Sequence, residues 1–282
     1  MAWFGGGPTV PVLRFSGPIG MATPLRPGVS MTSMAGVIER AFAVKRAPAI
    51  AVVINSPGGS PVQSHLIFKR IRALAEEKAK PVYVFAEDVA ASGGYMLALA
   101  GDEIFADPSS ILGSIGVVSA GFGLDKAIGR YGIERRVYTA GEHKMSLDPF
   151  QPEKPEEVER LKSLQREVHA GFIALVRERR GARLKGDDDE LFTGGIWSGK
   201  RAMELGLIDG LSDVRSKMRE LFGEKVRLKL YANEGGWLRR RFSLPGMNLT
   251  GGLPVPSLLQ ASLADDLISA IEARALWQRL GF

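Results

Sequence analysis

Pro48–Ile54 constrains this chain more than any other stretch: it is apolar throughout, carries no charge, and passes directly into Asn55–Ser60, NSPGGS. A run so short, rich in β-branched residues and without polar alternation, suits a parallel strand covered on both faces. Helical period follows over Val62–Lys78, with Leu66, Phe68, Ile71 and Leu74 available for a buried side, and then a second apolar run, Pro81–Phe85. Buried strand, turn, helix and buried strand make a βαβ unit, so the expected class is α/β. The functional turns of such a sheet lie at the carboxyl ends of its strands.

The second run leads to Val89–Asp102, VAASGGYMLALAGD. Small residues, one hydroxyl at Ser92, two glycines and an apolar helical run describe a nucleophile on a sharp turn into a helix N-terminus. There the hydroxyl is exposed, free backbone N–H groups point the same way, and the helix dipole favours negative charge. That is an acyl-transfer site in outline, although the same residues also suit a glycine-rich turn before a core helix.

Acyl transfer needs a base for the hydroxyl proton and donors for the oxyanion. Of the three histidines, His65 and His169 fall inside predicted helices, and His143 lies beside a better candidate, Lys144 in TAGEHKMSLDPF. A free lysine has a pKa of about 10.4, so service near neutral pH needs a depression of roughly three units, about 4 kcal/mol of bias toward the neutral amine. Desolvation supplies that; a carboxylate opposes it. Glu142 and Asp148 are therefore expected to face solvent, and the hydroxyl of Ser114, in LGSIGV, is available to orient the amine. The expected oxyanion donors are the backbone N–H groups of Gly93 and of Gly58. Taken alone, Lys144 also suits a solvated loop, and SPGG a turn in which Pro57 and the glycines serve geometry only.

The remaining pattern places a strand at Val10–Phe15, a loop at Gly17–Pro27, a helix from Met31 to Val44 capped by Ser30, a short helix at Gly123–Tyr131 and a strand at Ile133–Thr139. A polar loop covers Gly141–Pro155, a long helix Pro155–Arg180, and a last strand Val226–Tyr231. Residues 1–232 form one main domain, 233–256 a Gly/Pro/Arg-rich arm, and 257–282 an amphipathic helix. The length of 282 residues with 45% hydrophobic content fills a core of that size, and the net charge of +6 is spread along the chain. The charge reads as a solvated surface, and no nucleic-acid partner is expected. Absence of cysteine excludes disulfides and thiolate chemistry, and the histidines have no metal-ligand spacing, so neither metal nor cofactor is expected. No signal peptide is recognised, and no window approaches the roughly 20 apolar residues of a bilayer span. A cytoplasmic chain is expected, with peripheral membrane contact through Trp237, Arg239, Arg240 and Arg241.

INSPGGS at Ile54–Ser60, AASGGYMLA at Ala90–Ala98, D-x-I-x-A-x-P at Asp102–Pro108, LGSIGV at Leu112–Val117 and G-x-H-K at Gly141–Lys144 occur in that order. Together they resemble the signal peptide peptidase A (protease IV) family of Ser-Lys peptidases, of the single-catalytic-domain kind, over roughly Val10–Tyr231. The resemblance implies a ClpP/crotonase-like fold of stacked ββα units, with 1–232 as the peptidase domain. It implies Ser92 as nucleophile, Lys144 as general base, Ser114 as the orienting serine, and Gly58 and Gly93 as oxyanion donors. It also implies peptide substrates, such as signal-peptide remnants or other hydrophobic peptides, and a homo-oligomer with an inward-facing groove. Two other functions fit parts of the pattern: a crotonase-type acyl-CoA hydratase or hydrolase, and a non-catalytic scaffold at a membrane surface.

Overall fold

A computed structural model describes residues 7–21, 28–141, 143–232, 271 and 274–281. The chain forms two compact units, one of Gly116–Ala174 and one of the segments on either side, Met1–Ile115 and Leu175–Phe282.

The flanking unit is built on a sheet whose central strands are parallel: β1 (Thr9–Ser16), β2 (Ile50–Ser56) and β3 (Val82–Ala91). β3 is longer than the Pro81–Phe85 run suggested, and it serves two neighbours. Its first part pairs with β4 (Glu103–Ala106) and its last three residues with β5 (Ile111–Gly113). A register shift against β2, between Ile54 and Ser56, separates the two halves. At one end β6 (Ile196–Ser198) pairs antiparallel with β5, β7 (Gly210–Leu211) pairs with β4, and β8 (Arg227–Tyr231) closes the other edge beside β1.

Alternation along the strands supplies both layers of the core. On one face Val10, Val12, Ala51, Val53, Phe85 and Phe105 pack with Met218 of a C-terminal helix, Val214–Phe222. Leu13 and Phe15 point to the opposite face and are fully buried. Helix α1 (Met31–Phe42) starts where Ser30 accepts the Ser33 N–H, and buries Met34, Val37, Ile38, Ala41 and Phe42. Helix α2 (Pro61–Lys78) begins at a proline, which has no N–H to leave unpaired, and buries Ile67, Phe68, Ile71 and Leu74. Leu66, expected on that buried side, is 44% exposed. The helix phase gives its place to Ile67.

In the Gly116–Ala174 unit, Asp148 and Phe172 are the only buried residues among those described. It contains a short helix, α4 (Asp125–Arg130), and most of the long helix α5 (Pro155–Arg180). The strand expected at Ile133–Thr139 does not form: the segment is irregular and almost wholly exposed. Its β-branched and aromatic residues favour extension, but a strand needs a ladder partner. The arm at 233–256 lies outside the described residues, as does most of the expected helix at 257–282, of which 274–278 are helical. Among the described residues no helix is long and apolar enough to cross a membrane.

Candidate active site

β3 ends at Ala91, and the next residue, Ser92, turns sharply with φ 52 and ψ −119. A left-handed backbone costs a residue other than glycine roughly 1–2 kcal/mol, so surrounding bonds must hold it. Ser92 N–H donates to Gly113 O at 2.8 Å, and Ser92 O accepts from Met96 N–H at 2.9 Å, opening helix α3 (Gly93–Ala98). From Val89 to Gly101 every residue is buried except Ser92. Its hydroxyl makes no capping bond to the helix, so it stays available beside the N–H groups that the first turn leaves without intrahelical partners.

The Asn55–Ser60 loop is pressed against this turn. A methyl group on Gly58 would fall 2.8 Å from Ser92 Cβ and 2.9 Å from Gly93 N, while one on Gly93 would fall 2.5 Å from Ser64 Oγ. The glycines therefore permit a close approach that a side chain would block. Ser56, fully buried, was not singled out by sequence reasoning. Its Oγ donates to Gly17 O at 2.7 Å and accepts the Gly58 N–H at 3.2 Å. The signal was present as a hydroxyl two residues ahead of an N–H, the spacing of a side-chain turn. The Gly58 amide is thus engaged, and the Gly59 nitrogen lies 3.4 Å from the point a Gly93 methyl would occupy.

The far end of α3 is fixed by arginines. Arg179 donates to Leu99 O and Gly101 O, both at 2.9 Å, and Arg72 to Ala100 O at 3.1 Å. Positive charge on the last carbonyls of a helix complements its dipole. From inside α3 the Tyr95 hydroxyl donates to Leu207 O at 2.7 Å, and complete burial pushes that phenol's pKa well up. Next to this anchor Arg180, 3% exposed, pairs with Asp209 at 2.8 Å. Burial would raise the Asp209 carboxyl, but Arg180, the Ile104 N–H and Arg183 together hold it below its ordinary value.

Ser114 is also left-handed, with φ 51, and is half-buried. Its N–H donates to Gly195 O at 2.6 Å, and its neighbour Gly113 is the residue that accepts from Ser92. Gly58, Ser92, Gly93 and Ser114 are therefore gathered in one unit. Lys144 belongs to the other, in a turn where its N–H donates to Gly141 O at 3.2 Å, and it is exposed. Asp148 does not face solvent as expected. Its side chain is 2% exposed, taking Arg135 Nε at 3.1 Å and the Phe150 N–H at 3.1 Å. The Phe150 bond and the Arg135 guanidinium hold its carboxyl below the usual range. Glu142 lies outside the described residues.

Residues 75–226 match the model of Peptidase family S49. The chain belongs to this family. Its α/β architecture, with parallel central strands joined through helices, is the class expected from the motifs. Among curated relatives it is 56% identical over 273 residues to a protein of Brucella abortus named Na(+)/H(+) antiporter NhaA, covering 96% of this chain and 37% of that protein. It is 34% identical to the chloroplastic serine protease SPPA of Arabidopsis thaliana, over 73% of this chain and 31% of that one. With Protease 4 of Salmonella typhi it shares 30% identity over 94% of this chain and 43% of the relative. The chain thus spans less than half the length of each of these proteins.

Proposed function

We propose that this S49 peptidase is a serine endopeptidase in which Ser92 is the nucleophile and Lys144 the general base. The Ser92 turn carries the reading: a strained, accessible hydroxyl in otherwise buried surroundings, at a helix N-terminus with glycine backbone packed around it. Ser92 Oγ attacks the scissile carbonyl while the neutral Lys144 amine takes its proton, and the oxyanion is held by backbone N–H groups. Lys144 then returns the proton to the leaving amine, and a water activated the same way hydrolyses the acyl-enzyme. Ser114 orients the amine without the charge a carboxylate would bring. Gly93 is one oxyanion donor. Gly58 is the other provided its amide exchanges Ser56 Oγ for the oxyanion.

The substrates proposed are hydrophobic peptides, signal-peptide remnants among them, and the working form is a homo-oligomer. Exposed aromatic residues in Gly116–Ala174, namely Phe122, Tyr131 and Tyr138, support assembly with further copies. The mechanism also needs a dry amine at Lys144, which this exposed face requires a covering surface to supply. Peripheral membrane contact through Trp237, Arg239, Arg240 and Arg241 concerns residues outside those described.

A fluorophosphonate probe tests the central assignment. The expected result is one labelled site at Ser92, with labelling and peptide hydrolysis both lost in Ser92→Ala. An unlabelled protein that turns over acyl-CoA and cleaves no peptide would overturn it.

A further inference from the structure

We infer that Trp197 is a positioning residue that holds the backbone of both serine turns, an inference that rests on Ser92 being the nucleophile. Trp197 sits in β6, three residues long and paired antiparallel with β5 at the end of an otherwise parallel sheet. So short an edge strand has few ladder bonds to keep it in place, and its side chains must do much of the anchoring. The indole lies across two glycines. A methyl group on Gly113 would fall 2.4 Å from ring carbons Cε3 and Cζ3, and one on Gly195 would fall 3.2 Å from Cζ2.

Those two glycines have a shared task. Gly113 O accepts the Ser92 N–H at 2.8 Å, and Gly195 O accepts the Ser114 N–H at 2.6 Å. Ser92 and Ser114 are the two serines of the site, and both have left-handed backbones, with φ 52 and 51. Such conformations persist only where the surroundings over-determine them. The bond that each serine N–H makes contributes that determination if the glycine supplying the carbonyl is itself immobile. A bare glycine is the most mobile residue a chain can offer. The half-buried ring removes that freedom from Gly113 and Gly195 together, so one side chain sets the nucleophile turn and the orienting serine.

Trp197 touches neither substrate nor base in this account, so its loss should slow acylation and leave binding largely intact. In Trp197→Ala, kcat and the rate of fluorophosphonate labelling at Ser92 are expected to fall about 100-fold, the scale of an ångström's misplacement, with KM changed less than threefold. Trp197→Phe, which keeps a ring over the glycines, should recover most of the rate. Gly195→Ala probes the same contact from the opposite side without opening a cavity, and should also slow labelling while the protein melts near the wild-type temperature. Wild-type labelling rates in folded Trp197→Ala, or in Gly195→Ala should the first variant not fold, would overturn the inference alone. Failure of the wild-type protein to label at Ser92 would instead remove the nucleophile assignment, and this inference with it.

Discussion

The unit that carries Ser92 and the unit that carries Lys144 differ in how much of their own structure they fix. Every buried hydrophobic side chain among the described residues except Phe172 lies with Ser92. In Gly116–Ala174, by contrast, Phe122 is 86% exposed and Tyr138 91%. A serine needs a rigid turn and fixed amides, which a packed sheet and its helices provide within one chain. A lysine base needs removal from water, and Lys144 is exposed. The turn proposed for the nucleophile is therefore fixed within its own unit, whereas the proposed base stands exposed in the other.

Four variants break or sharpen that contrast. Lys144→Ala carries the largest expected effect, a loss of about 1,000-fold in kcat, with melting unchanged because the side chain supports no core. A large fall in melting temperature would show the exposed unit to be more structural than the contrast allows. Next comes Arg180→Ala in the packed unit, expected to cost about 3 kcal/mol because it removes a buried guanidinium from the half-buried Asp209 and leaves only the outlying Arg183 to balance that charge, read by chemical denaturation. Its pH signature follows from the carboxyl held below its ordinary value. That stabilisation is fully present above the unfolded carboxylate pKa of about 3.9 and disappears as pH falls through the lower folded value. Asp209→Asn should show a shallower acid-side loss than wild type; an equally steep one would mean other carboxylates carry it. The smallest effect on folding is expected from Tyr138→Ser, within about 0.5 kcal/mol, yet sedimentation should show weaker self-association. Unchanged assembly would mean that this aromatic is not at a subunit contact.

The sheet and the Ser92 turn were legible because their signals are local. Ser30, the proline at the head of α2 and the apolar runs of β2 and β3 act on their own neighbourhoods, and the small residues and glycines around Ser92 mark a sharp turn into a helix. Long-range determinants were hidden. The packing of Trp197 on Gly113 joins residues in strands that only the folded sheet makes neighbours, and no periodicity reports it. Ile133–Thr139 carried strand-forming residues with no partner strand. Asp148 was expected in water because a carboxylate in contact with Lys144 would oppose a neutral amine, whereas Arg135 and the Phe150 amide capture it. The Ser56 hydroxyl on the Gly58 amide is marked by its two-residue spacing, a signal that a glycine turn needing no side-chain bond would share.

Helix α3 is six residues long, well below the length at which a helix stands unaided. Its shape is borrowed from Arg72, Arg179 and Leu207, so the AASGGYMLA signature around Ser92 is not a portable module. Grafted onto another scaffold without those remote anchors, it would transfer the letters and leave the architecture behind.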